Sequence, residues 1–413
     1  MGALLLSGGR LLDPLHDQLL DRHDVLIEDG QIKEVSDKEI KAGNATVIKL
    51  DGKTIMPGLI DCHVHVMATQ LNLSTQGMLP DALVMLRAVP IMKAMLRRGF
   101  TTVRDAGGAG WGLKSAVEEG TVVGPRLFIA GRAISQTGGH GDPRPRSDYL
   151  RPMSWCGCCF RAGDIGRVAD GLDEVIKAVR QELQMGADQI KIMASGGVAS
   201  PTDPIASWGY SDDEIKAIVH EARARQTYVM AHAYTAEAIE RAIRFGVRTI
   251  EHGNLIDAPT AELMHQMKAY VVPTLVTYEA LAKEGAQYGL PPDSVEKIAS
   301  VREAGLASLE IYKKAGVKMA YGSDLLGPSQ RLQSDEFRIR NAVLSNQEVI
   351  QSATTIAAEV LNQEGRLGRI AAGAVGDVIV VDGDPMKDVS CLLGQGEHIG
   401  LVVKDGQVQF NEL

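Results

Sequence analysis

A chain of 413 residues is longer than one hydrophobic core usually serves, and its 45% hydrophobic and 23% charged content fits a folded globular protein without extensive disorder. The formal net charge of -9 argues against a nucleic-acid partner, because phosphate backbones are bound by concentrated Lys and Arg. No run approaches the ~20 apolar residues of a bilayer span, and the opening MGALLLSGGRLLDP lacks a basic n-region and a small-residue cleavage site, so no membrane partner and a cytoplasmic location are expected.

The first predicted elements are short β-rich runs, ALLLSGG, DVLIEDGQIKEVS and TVIKLDGKTIMPG, of which the last two carry Asp-Gly pairs that favour tight turns. The far end repeats this style in GDVIVVDGDP and GLVVKDGQVQF, and EDGQIKEV resembles KDGQVQF. Residues 1–57 and 362–413 are therefore expected to build one small β-sandwich domain, with the middle of the chain inserted between its halves.

Between about Leu59 and Leu361 apolar β-branched runs alternate with longer amphipathic stretches, the pattern of repeated β/α units around a parallel sheet. Eight runs qualify as strands: LIDCHVHV, FTTVRDAG, RLFIAGRAI, QIKIMAS, TYVMAHAY, RTIEHGN, YVVPTLVT and KMAYGSD. Connecting segments such as DEVIKAVRQELQMG and SDDEIKAIVHEARARQ have helical spacing. The fold class is thus α/β, and residues 58–361 are expected to form an eight-stranded (β/α) barrel of the TIM type. Within it, three of the five cysteines crowd into the loop segment WCGCC as Cys156, Cys158 and Cys159. No second Cys/His pair at zinc-site spacing accompanies them, and an odd total does not suit a secreted disulfide framework, so free thiols in a reducing compartment are expected.

In such a barrel the functional groups sit at the C-terminal ends of the strands, so a polar residue closing an apolar run is a catalytic candidate. His63 and His65 close the first run, Lys191 interrupts the fourth, His232 closes the fifth, His252 the sixth and Asp324 the eighth. Two residues apart on a strand, His63 and His65 point to one side, as a shared metal ion requires. A lone buried histidine is more often a hydrogen-bonded core residue, but the other polar groups at strand ends tell against chance here. His16, His23, His220, His265 and His398 lie in the terminal segments or on helices, where solvated or structural roles are expected.

Lys191 lies between Ile190 and Ile192, where an inward-facing ammonium is disfavoured by desolvation unless it is paired or chemically changed. Reaction of the neutral amine with carbon dioxide would give a carbamate able to bridge two cations, whereas a lysine snorkelling to the barrel mouth is the plainer alternative. His232 and His252 would complete a second metal, with the Asp324 carboxylate on the first. This mixture of N and O ligands suits zinc best, with manganese or cobalt as alternatives.

The segment MPGLIDCHVHV, followed in order by a lysine, two histidines and an aspartate at strand ends, resembles the amidohydrolase superfamily, as does the late GRIAAGAVGDVIVVDGDP. The resemblance spans nearly the whole chain. A lysine on strand four resembles the binuclear subtype, which implies two divalent metals bridged by a carboxylated Lys191 and a hydroxide. ASGGVASPTDP, AHAYT and SQTGGHGD look most like the imidazolonepropionase-related group and, within it, its bacterial prolidases and carboxypeptidases.

The function so implied is hydrolysis of a peptide or amide bond, with Xaa-Pro dipeptides as the first substrate class. Asp324 is expected as general base and His140, in TGGHGD, as donor to the developing oxyanion. Tyr234, two residues beyond His232, is the first choice for binding the substrate carboxylate, with Tyr228, Arg144 and Arg146 as further donors. The alternatives are a carboxypeptidase or N-acyl amino acid hydrolase of other specificity, a cyclic-amide hydrolase of the imidazolonepropionase type, and a non-catalytic assembly protein on the same scaffold. Enzymes of this kind commonly assemble, which implies a homo-oligomer.

Overall fold

In the computed structural model the described residues are 2–413 without 17, 143, 145–160, 199, 201–202 and 288–291. Arg146 and the Cys156, Cys158 and Cys159 cluster lie outside them. The N-terminal strands are β1 (Leu4–Leu12), β2 (Leu19–Glu28), β3 (Gln31–Ser36), β4 (Thr46–Lys49) and β5 (Thr54–Pro57). The middle of the chain contributes β6 (Leu59–Val64), β7 (Phe100–Asp105), β8 (Arg126–Ile129), β9 (Ala133–Ser135), β10 (Gly166–Val168), β11 (Ile190–Met193), β12 (Val229–Thr235), β13 (Thr249–Leu255) and β14 (Tyr270–Val272). The last strands are β15 (Val378–Val381), β16 (Ile399–Lys404) and β17 (Gln407–Asn411).

Both chain ends enter one eight-stranded sheet in the order β17-β16-β15-β5-β1-β2-β3, with β4 on β1. Three of the four Asp-Gly pairs in the terminal segments turn as expected, whereas Asp382-Gly383 leads from β15 into a long connection. Asp29 and Gly30 (φ 47° and 78°) join β2 to β3, and Asp405 and Gly406 (φ 51° and 73°) join β16 to β17, two positive φ values in succession as a type I′ turn requires. β15 reads VIVV because both its faces are covered. Val378 and Val380 pack with Leu6, Val25 and Ile55 in the sheet's own core, while Ile379 and Val381 join the large central core with Met56 and Leu59.

The central region is mixed α/β and its strands run parallel, but they do not form one closed eight-stranded ladder. β6, β7 and β8 make a three-stranded sheet, and a second sheet runs β10-β9-β11-β12-β13-β14. Three local features account for the difference from the expected pattern. The run RLFIAGRAI breaks into β8 and β9 around Gly131 (φ 67°), so its first half pairs with β7 and its second with β11. YVVPTLVT ends as a strand at Val272, because Pro273 has no N–H for the ladder, and a helix begins at Leu275. KMAYGSD makes only a single bridge, Val271 to Met319, before the chain turns left-handed at Asp324 (φ 49°).

The helices between strands form at the expected places. Gly171–Gln184 precedes β11, and Asp212–Ala224 precedes β12 behind a capping box in which Ser211 and Glu214 satisfy each other's backbone N–H. Among the described residues no helix is long and apolar enough to cross a membrane.

Candidate active site

His63 on β6 and His65 just beyond it project to the same side, their ring centroids 5.5 Å apart. The Asp324 carboxylate reaches between them, Oδ1 lying 3.4 Å from His63 Nε2 and 3.3 Å from His65 Nε2. One ligand atom from each of these three residues falls within 4.8 Å of the others, a spacing that fits a single cation. His252 stacks beside His63 at 5.0 Å between centroids, and His232 lies 4.7 Å from His252. Two of the residues that converge here adopt left-handed backbone, Asp324 and His252 (φ 74°), a conformation that non-glycine residues rarely hold without an overriding reason.

Every one of the four histidines has one ring nitrogen on a protein oxygen. His63 Nδ1 meets Glu251 Oε2 at 2.7 Å, His65 Nδ1 meets the Gly107 carbonyl at 2.9 Å, His232 Nε2 meets the Gly196 carbonyl at 3.0 Å and His252 Nδ1 meets Thr274 Oγ1 at 2.7 Å. The opposite nitrogen of each is left for another partner, the arrangement that metal-binding imidazoles need. Burial, reinforced by His140, His252 and Lys191, pushes His232 well below the usual histidine range. Burial also lowers His252 well below it, against the pull of Asp324. Both rings are therefore neutral at pH 7. Burial alone would raise the Asp324 carboxyl, yet His63, His65 and His252 hold it well below the usual carboxylate range.

Lys191 on β11 is 2% exposed and has neither a hydrogen bond nor an ion pair among the described residues. Burial pushes its amine down to about 8 despite the nearby charges of Glu251 and Asp324. An amine that gives up its proton so readily is the form that reacts with carbon dioxide. The donor set thus fits divalent metal: three ligand atoms already converge, two neutral imidazoles stand beside them, and a buried lysine makes no ion pair among the described residues.

His140 stacks on His232 at 4.2 Å, and its Nδ1 lies 2.8 Å from Ser200 Oγ. Gly197 is obligatory there, since a Cβ on it would stand 2.1 Å from the His140 ring. Tyr234 lies 4.8 Å from the His232 ring and 5.4 Å from His252, and its hydroxyl shares a 2.9 Å hydrogen bond with Tyr278. The structure does not bring the remaining two donors into the cluster. Tyr228 precedes β12, its hydroxyl accepts from Arg104 at 3.4 Å, and it lines a separate cavity of about 350 Å³ with Arg223, Arg248 and Lys268. Arg144 clamps Asp142, with Nε to Oδ1 and Nη2 to Oδ2 both at 2.6 Å.

Three buried groups were not singled out from sequence. Asp61 accepts from the backbone N–H groups of His63 (3.0 Å) and Ser323 (3.2 Å), which ties β6 to the Asp324 turn. Tyr278 comes from the helix Leu275–Glu284, just beyond the run YVVPTLVT that was read as strand. Glu251 sits one residue before His252, and strict alternation would send the two to opposite faces. The left-handed His252 breaks that alternation and lets both approach His63. The available signal was an acid inside an apolar strand, TIEHGN.

The model of the amidohydrolase family matches residues 54–408. A solved amidohydrolase is 68% identical, with a TM-score of 0.98 over 100% of both chains. A prolidase solved in complex with N-methylphosphonate-L-proline is 57% identical with a TM-score of 0.97, covering 99% of this chain and 100% of its own. The ochratoxinase of Aspergillus niger is 32% identical over 349 residues, 81% of this chain and 71% of that protein. The chain belongs to the amidohydrolase family and is a hydrolytic enzyme.

Proposed function

We propose that this enzyme is a binuclear metal-dependent dipeptidase that cleaves the amide bond of Xaa-Pro substrates. The observation that carries the reading is the convergence of His63, His65 and Asp324 within 4.8 Å, beside neutral His232 and His252 and an unpaired buried Lys191. The choice of proline rests on the 57% identical prolidase. His63, His65 and Asp324 would hold one cation, His232 and His252 the other, with Lys191 as a carbamate between them. Zinc is the cation best suited to these N and O donors. When bound, the cations supply Lewis-acid polarisation of the amide carbonyl and acidification of water.

The residues of the chain do the rest. Asp324, ionised and beside the reacting centre, accepts the proton from the attacking water and returns it to the leaving nitrogen. His140 meets Ser200 Oγ through Nδ1, which turns Nε2 toward the reacting centre, and a proton on Nε2 would let it donate to the developing oxyanion. Tyr234 and Tyr278 form a buried pair of phenols beside His252, suited to a substrate carboxylate.

The scaffold is read as a (β/α) barrel over residues 58–361 carrying a small β-sandwich domain from 1–57 and 362–413. Backbone hydrogen bonds from Val271 N–H to the Lys318 carbonyl (3.1 Å) and from Cys62 N–H to the Tyr321 carbonyl (2.8 Å) support closure of the two parallel sheets into one ring. The similarity to an ochratoxinase supports a second reading, a carboxypeptidase or N-acyl amino acid hydrolase that uses the same metals with another pocket.

Hydrolysis of a library of dipeptides and N-acyl amino acids by zinc-loaded protein tests both. Selective turnover of Xaa-Pro, abolished by chelation and by Lys191→Ala, is the expected result. Release of other C-terminal residues would transfer the specificity to the second reading. Two bound metals with no turnover of any library member would overturn both in favour of cyclic amides.

A further inference from the structure

Beneath the histidine cluster, between β6, β7, β12 and β13, the interior holds a charged pair where apolar side chains would pack. Arg104 on β7 and Glu251 on β13 are each 0% exposed, and Arg104 Nη2 donates to both Glu251 oxygens at 2.9 and 3.1 Å. Replacing such a pair by well-packed hydrophobic residues is often neutral or stabilising, so stability alone does not account for it. Its wiring does. Arg104 also donates from Nε to the Cys62 carbonyl (2.6 Å) and from Nη1 to Thr249 Oγ1 (3.2 Å), and Thr249 in turn donates to Glu251 Oε1 at 2.7 Å. Glu251 Oε2 is then held 2.7 Å from His63 Nδ1.

With Arg104 and Thr249 donating to it, the carboxylate faces His63 purely as an acceptor. The His63 ring proton is thereby drawn to Nδ1, and Nε2 is turned toward Asp324 and the proposed metal. We infer that Glu251, locked by Arg104, is a positioning residue that fixes the tautomer and aim of His63, so that cation affinity depends on a side chain outside the ligand set. The inference rests on the metal-site reading above.

Glu251→Gln is a near-isosteric probe. Arg104 and Thr249 would hold the amide oxygen, the NH₂ group would face His63 Nδ1, and the ring proton would be forced to Nε2, where it blocks the metal. Zn²⁺ affinity of the full chain, measured against a chromogenic chelator, is expected to fall roughly 10- to 100-fold, with an altered visible spectrum of the Co²⁺ form. Circular dichroism checks that the variant is folded, and a folded variant with unchanged affinity and spectrum would overturn the inference. Should the variant fail to fold, ¹⁵N-imidazole NMR of the unaltered metal-free protein decides, with His63→Asn for assignment. A proton on Nδ1, alone or together with one on Nε2, supports the role, and a proton on Nε2 with none on Nδ1 removes it. A protein that binds no divalent cation at all would sink the metal-site reading, while the tautomer would still judge Glu251.

Discussion

Tyr234 has a phenol buried to 2% exposure whose one hydrogen bond among the described residues is to another buried phenol, Tyr278. Such a pair gains more from an arriving carboxylate than from its mutual bond, because hydrogen bonds to a charged group are stronger than those between neutral ones. Tyr234→Phe is accordingly expected to raise KM for Xaa-Pro dipeptides roughly 10-fold or more, on the ~1.5–3 kcal/mol of such a bond, with a smaller change in kcat. An unchanged KM in steady-state kinetics would remove Tyr234 from the pocket. At this scale the sequence exposed most of the candidates, since His63, Lys191, His232 and Asp324 are polar residues in apolar runs. Glu251, an acid in an apolar run, was passed over because strict alternation turns it away from His252, and only the left-handed backbone of His252 brings both to His63. The sequence did rank Tyr234 ahead of Tyr228, because residues six apart on a strand share a face but lie at different depths.

Elements were legible where a local signal controlled them. The Asp-Gly turns at Asp29-Gly30 and Asp405-Gly406 formed as the sequence implied, and the Ser211 capping box is likewise set by a few neighbouring residues. Ser211→Ala should destabilise the protein by about 1 kcal/mol through loss of the N-cap, with turnover unaffected. A urea titration that shows no shift in midpoint would mean that the Glu214 contacts with Ser211 and Gly171 suffice to hold that end. Elements were misread where one residue countermanded a longer pattern. Pro273 cut short an apolar run, Gly131 split another, and the turn at Asp324 diverted a third, so the parallel strands appear as two sheets and not one. Periodicity averages over such single residues.

At the scale of the whole molecule, the terminal sheet and the central region are joined by Arg126 on β8. Its guanidinium donates to Asp377 at 2.5 and 3.2 Å and to Asp405, and it also reaches Thr102 at 2.8 Å. Asp377 is 4% exposed, so Arg126→Met would strand a buried carboxylate. The expected loss is about 3–5 kcal/mol in equilibrium unfolding, well beyond a surface substitution, with little change in turnover. A loss below about 1 kcal/mol would place this contact with ordinary exposed ion pairs.

The position of β5 between β1 and β15 has a consequence for how the molecule is made. Met56 pairs with Ile379 and Ile55 with Val380, so the β5 partner is synthesised only after the whole central region has left the ribosome. Until then β5 presents an open edge of Thr54, Ile55 and Met56, the kind of strand that recruits other chains. Final closure is a long-range event and correspondingly slow. Biogenesis, more than the stability of the finished enzyme, is therefore the stage at which this protein is most exposed to misassembly.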